Sequence, residues 1–244
     1  MPEIYEDPHG VTIGHKHYSH RSPLLRAALL GANDGLVSVS AILLGVIAAT
    51  VPDQILLLTS ISAIVGGSLS MALGEYVSVS TQKDSELADI EKEKREHAKG
   101  PESQEMEMQE LAQIYEQRGL SKTLARTVAE ELSKGDVIRV HMQDELGIDI
   151  DNLSSPLKAA VFSGFSFLVG SSIPLFCLLV RSIIPRIIVL VIIDIILFIF
   201  FGIFSAKLGG ASIWKACLRI TIGGLIALGV TYGVGYALGT SMSA

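Results

Sequence analysis

Residues 24–50, 55–80, 157–180 and 187–206 form apolar runs with few charges, and a fifth run, 220–240, has none. A helix needs about 20 residues to cross roughly 30 Å of hydrocarbon, and every run is long enough. Within lipid the backbone must satisfy its own hydrogen bonds, which a helix does inside a single segment. Five such runs restrict the chain to an all-α membrane protein with five transmembrane helices. "VPDQ" forms a tight turn between the first two, and "RSIIPR" joins the third and fourth. The first run follows a polar, histidine-bearing stretch and is too long for the core of a signal peptide.

Charge is segregated from these runs. Between Lys83 and Asp151 lie 18 of the 25 acidic and 10 of the 19 basic residues, so the net charge of -6 belongs mostly to one insert. Nothing in this balance suggests nucleic-acid binding. The expected organisation is a tail (1–22), two spans (23–82), a helical insert (83–153) and three spans (154–244). Breaks at "KGPE", "RGLS" and "SKGD", with Ser121 and residues 133–136 at capping positions, divide the insert into three or four helices, the first continuing out of the second span.

Lys and Arg gather on the cytosolic side of a membrane protein. With the N-terminus inside, Lys16, Arg21, Arg26, Lys83, Lys158, Lys207, Lys215 and Arg219 all fall in the cytosol, against Arg181 and Arg186 outside. The tail and insert are therefore expected in the cytosol. The cysteines, Cys177 and Cys217, lie in or beside spans and imply no disulfide.

The first span carries Asn33 and Asp34, although an acid at the bilayer centre costs about 2.5–3.5 kcal/mol on insertion scales. A turn near Pro52 makes the first two spans antiparallel. Asp34 lies 18 positions before that turn and Ser70 18 after, so Met71 should be level with Asp34 and Glu75 about a turn away. Ser62, Gly66, Ser70, Gly74 and Ser78 recur every four residues, a pattern that lets helices approach closely in lipid. Met71 and Glu75 project beside that row. Two carboxylates attract a divalent cation, a thioether favours transition metals, and Asn33 offers a neutral oxygen. A desolvated carboxylate also gains proton affinity, so the same group could exchange protons for metal.

In the insert, Glu93 with Glu96 and Glu107 with Glu110 stand at i, i+3, and His141, Met142 and Glu145 share a side of the last helix. Like charges so spaced repel unless a cation lies between them. The set could converge on transition-metal ions, the competing reading being a solvated charged surface. Asp194, a second intramembrane acid, could relay protons or pair with Lys207 or Arg219. Pro174 should kink the third span, and "GVTYG" and "GYALG" in the last span read as packing faces and a candidate dimer seam. His9, His15, His17 and His20 read as a polar tail able to hold metal loosely, and "SPLLRAALL" as the start of an amphipathic surface helix.

"GANDGLVSVSAILLGV", "SMALGEYVSVSTQKD" and the insert from "GPESQEMEMQELAQIYEQRGLS" to "DVIRVHMQDELGID" together resemble the vacuolar iron transporter family, over nearly the whole chain from Ser22. The resemblance implies a five-span homodimer that exports iron(II), and often manganese(II), from the cytosol in exchange for protons, through a pathway at the dimer interface lined by the first span. It places the pathway acid on Asp34 and the pathway methionine on Met71, with Glu75 in the same motif. The insert's metal-binding glutamates fall on Glu93, Glu96, Glu107 and Glu110, and its last-helix ligands on Met142 and Glu145. His141 stands where some members have methionine.

The sequence thus reads as a secondary active transporter rather than an enzyme, without a prosthetic group, whose partners are transition-metal ions, protons, the bilayer and a second copy of itself. A bacterial inner membrane, or a vacuolar-type membrane in a eukaryote, fits it. The alternative is a membrane-anchored ferritin-like metal oxidase or metal sensor in which the insert does the chemistry.

Overall fold

The computed structural model describes residues 23–242, and the histidines of the tail lie outside them. Among the described residues every regular element is helical. The long helices are α1 (Pro23–Ala48), α2 (Asp53–Ala98), α6 (Pro156–Ser172), α7 (Ile183–Gly209) and α8 (Ile213–Met242). Three short ones, α3 (Pro101–Gln117), α4 (Lys122–Leu132) and α5 (Val137–Asp144), make up the insert with the second half of α2. Five segments are long and apolar enough to cross a membrane, matching the five apolar runs. The chain is a multi-pass helical membrane protein.

Two compact units share these elements. Among the described residues, the first takes 23–75 and 157–242, and the second is Tyr76–Pro156. In the first, Leu36, Leu43, Leu44 and Ile47 of α1 pack with Leu56, Cys177, Leu190, Phe198 and Leu228. The buried side of α7 is one row at spacing four, Arg186, Leu190, Asp194, Phe198, Gly202 and Ala206, as the helical repeat requires of a single packed face. Glycine sets the approach of neighbours: a Cβ on Gly170 would collide with the carbonyl oxygen of Ala32 on α1, and one on Gly235 with that of Gly45.

The third span changes form at its proline. α6 ends at Ser172 and a 3-10 turn covers Ile173–Leu179, with Pro174 in its first turn. Proline donates no backbone hydrogen bond. Just before it, two hydroxyls fold back onto the helix: Ser171 Oγ donates to the Phe167 oxygen at 2.7 Å and Ser172 Oγ to that of Leu168 at 2.6 Å. The α-helical form thus stops just before Pro174, where the sequence led one to expect an interruption.

In the second unit, Leu111, Ala112 and Tyr115 of α3 pack on Ala125 and Ala129 of α4. Each break read from the sequence is a break in the chain. Gly119 ends α3 at φ 102°, a conformation that favours glycine. Ser121 and Asp136 occupy the N-cap positions of α4 and α5, and the Asp136 carboxylate accepts from the Arg139 amide.

Candidate metal sites

Within the first unit, Asp34 and Ser38 of α1 and Met71 and Glu75 of α2 line one cavity of about 540 Å³. Its α2 wall is the row of small residues Ser62, Gly66, Ser70 and Gly74, and Phe167 of α6 closes one side. Depth counting from the turn thus brings the expected acid, thioether and acid to one space. Ser38 Oγ donates to Asp34 Oδ1 at 3.1 Å. Met71 packs against the cluster of Val39, Ile64 and Phe167. Asn33 is not part of the lining, because consecutive helical residues point about 100° apart. Its Oδ1 is buried without a hydrogen-bond partner among the described residues.

The insert gathers a second group around one imidazole. His141 is 1% exposed, and its Nδ1 lies 3.2 Å from Glu93 Oε1, 3.6 Å from Glu107 Oε2 and 3.7 Å from Glu145 Oε2. Neither ring nitrogen has a hydrogen-bond partner among the described residues. A buried imidazole normally finds a partner, since leaving its nitrogens bare forfeits their hydration. One ligand atom each from Glu93, His141 and Glu145 lies within 4.8 Å of the others, a spacing that suits one metal ion. Four facing groups of this kind make a carboxylate and imidazole donor set.

The electrostatics fit a site built for a cation. Burial, then the Glu93 carboxylate beside it, push Glu107 up from its ordinary value of 4.5 to about 7. Burial also raises Glu93, with the charges of Glu145 and Glu110 adding to it. Two adjacent acids that cannot both ionise comfortably share a proton, which a divalent cation would displace.

The other expected ligands lie differently. Glu110 is exposed and acts on Glu93 and Glu107 through its charge. The Glu96 carboxylate is taken by an ion pair with Lys99 one turn along. Met142 is fully buried, and its carbonyl accepts from the Ile148 amide at 2.9 Å.

The arrangement also depends on residues that spacing did not point to. Tyr115 donates to Asp144 Oδ2 at 2.6 Å, and Arg118 grips Asp144 through Oδ1 at 2.7 Å and its carbonyl at 2.9 Å. These bonds fix the end of α5, and with it His141 and Glu145, against the end of α3. In the first unit, Arg186 is 4% exposed and donates to Asp53 Oδ1 and to the Val180 carbonyl, each at 2.7 Å. Asp194 receives its hydrogen bond from Ser40, at 2.7 Å, and not from the basic residues weighed in the sequence.

Five apolar spans, a cavity lined by two carboxylates and a thioether, and an acid-rich helical insert define a multi-pass membrane protein with candidate cation sites. The chain belongs to the VIT family, whose model matches residues 25–236. It is 36% identical over 239 residues to a vacuolar iron transporter of Acanthamoeba castellanii, covering 96% of this chain and 84% of the relative. It is 32% identical over 225 residues to vacuolar iron transporter homolog 2.1 of Arabidopsis thaliana, covering 92% and 85%. A rice (Oryza sativa subsp. japonica) relative, vacuolar iron transporter homolog 1, is 33% identical over 222 residues, covering 91% and 76%.

Proposed function

We propose that this protein carries iron(II), with manganese(II) as a second cargo, out of the cytosol in exchange for protons, and that it works as a homodimer. Asp34, Met71 and Glu75, from two different spans, share one cavity, and this observation carries the reading. The names of its relatives supply the cargo.

The chemistry follows from the donors. Asp34 and Glu75 offer oxygen to a divalent ion, and the Met71 thioether biases the cavity toward transition metals over magnesium or calcium. Carboxylates that bind metal when ionised and protons when neutral exchange one for the other. The insert, on the cytosolic side, gathers ions through Glu93, Glu107, Glu145 and His141. Intramembrane acids favour transport over a membrane-anchored oxidase, because an anchor has no use for them.

The test is uptake of iron(II) by proteoliposomes under an imposed pH gradient. Asp34→Ala should abolish uptake. Met71→Leu should keep carriage of divalent ions while losing discrimination against magnesium. Undiminished uptake in Asp34→Ala would sink the reading. Oxygen consumption by the full chain on iron(II), without transport, would favour the oxidase.

A further inference from the structure

The apolar core of the first unit contains an acid that the metal cavity does not use. Asp194 sits midway along α7, fully buried between Leu190 and Phe198, one turn away on either side and themselves fully buried. Its Oδ1 accepts a hydrogen bond from Ser40 Oγ at 2.7 Å. Its Oδ2 is buried with no partner among the described residues. An ionised carboxylate needs a counter-charge or several donors to be held in such surroundings, and Asp194 has one neutral donor.

The groups around it are few. From α1 the facing polar group is Ser40. From the 3-10 turn it is Cys177, a buried thiol in electrostatic reach of both Asp194 and Arg186. Arg186, two turns earlier on α7, is committed to Asp53 and the Val180 carbonyl. α8 meets this face with Gly224 and Leu228, neither of which titrates. α1 is therefore a shared wall, with Asp34 on the metal cavity and Ser40, six residues on, against Asp194.

We propose that Asp194 is a proton-carrying group of the transport cycle, an acid while α1 holds Ser40 against it and a carboxylate once a shift of α1 lets water reach the free oxygen. Ionisation passes one proton from Oδ2 to that water, and the reverse step takes one back. Metal in the cavity and a proton on Asp194 are thereby linked through one helix. The inference rests on proton-coupled transport as proposed above.

The experiment uses the full chain in proteoliposomes, with iron(II) kept reduced and a pH-sensitive dye inside. Net iron(II) uptake, proton counter-movement and iron-for-iron exchange at equal pH are read in parallel. Asp194→Asn should keep the exchange, which needs no net proton movement, and lose both the counter-movement and the gradient-driven uptake. Ser40→Ala should keep all three but move the pH profile of uptake, because it removes the hydroxyl that α1 holds against Asp194 Oδ1. Wild-type proton counter-movement in Asp194→Asn overturns the assignment and leaves antiport standing. If Asp194→Asn fails to fold, an unmoved profile in Ser40→Ala overturns it. Iron(II) uptake by the wild type without proton movement removes the antiport reading itself, and the assignment with it.

Discussion

At the scale of single residues, Glu107 connects the insert's geometry to a measurable pH dependence. Burial and the Glu93 carboxylate raise it to about 7, so the folded chain binds a proton there that the unfolded chain has released above 4.5. The sign follows: this contribution to stability is fully present below about 4.5 and is lost as pH rises through about 7. Metal reverses the trend, since a cation replaces the proton. Apparent affinity for manganese(II) should therefore rise with pH, by up to about tenfold per unit below about 7, and level off above it. Titration of the detergent-solubilised full chain would show this, and Glu107→Gln should flatten the slope as well as weaken binding. A wild-type affinity independent of pH would mean that no proton is displaced. That His141 and Glu145 meet was legible in the sequence because they stand one helical turn apart. Of the four glutamates expected beside them, Glu93 and Glu107 are there, whereas Glu96 is diverted by a neighbouring lysine and Glu110 is exposed, and neither fact is a matter of spacing.

At the scale of elements, hydropathy gave the five spans, and turn counting gave the depth of Asp34 against Met71 and Glu75. Both succeed because they depend on local periodicity and one short loop. The hydrogen bonds that tie elements together were out of reach: Ser40 meets Asp194 across 154 positions, and Asp53 meets Arg186 across 133. No pattern within one helix announces such a partner. Close helix approach lies between these cases, since glycine is visible in sequence but its neighbour is not. A Cβ at Gly170 would meet the Ala32 backbone, whereas one at Gly223 would meet nothing within 4 Å among the described residues. Gly170→Ala should therefore destabilise the chain by about 1–3 kcal/mol, since α1 and α6 must separate to admit the methyl group. Gly223→Ala should be neutral or slightly stabilising, as expected for an uncrowded helical position. Thermal unfolding in detergent compares the two, and equal melting temperatures would contradict the packing described.

For the molecule as a whole, the row of small residues on α2 raises the question of what covers it. A Cβ at Gly66 or Gly74 would meet nothing within 4 Å among the described residues, although both line the cavity that holds Asp34 and Glu75. Small residues in register drive helix association by allowing close backbone contact, and they have no such use facing lipid chains. In the proposed homodimer this face meets its own copy, and the cavity becomes a space shared by two chains. A symmetric interface of that kind brings each residue near the axis close to the same residue of the partner. A single cysteine at Gly66, in a background with Cys177 and Cys217 replaced by alanine, should then cross-link into a covalent dimer in native membranes. Ile192→Cys in the same background serves as the control, because that side chain is exposed on α7, away from the cavity. Iron(II) should slow cross-linking at Gly66 if the ion occupies the shared space. Equal cross-linking at both positions would place the dimer seam elsewhere, and the pathway would then have to be closed within one chain.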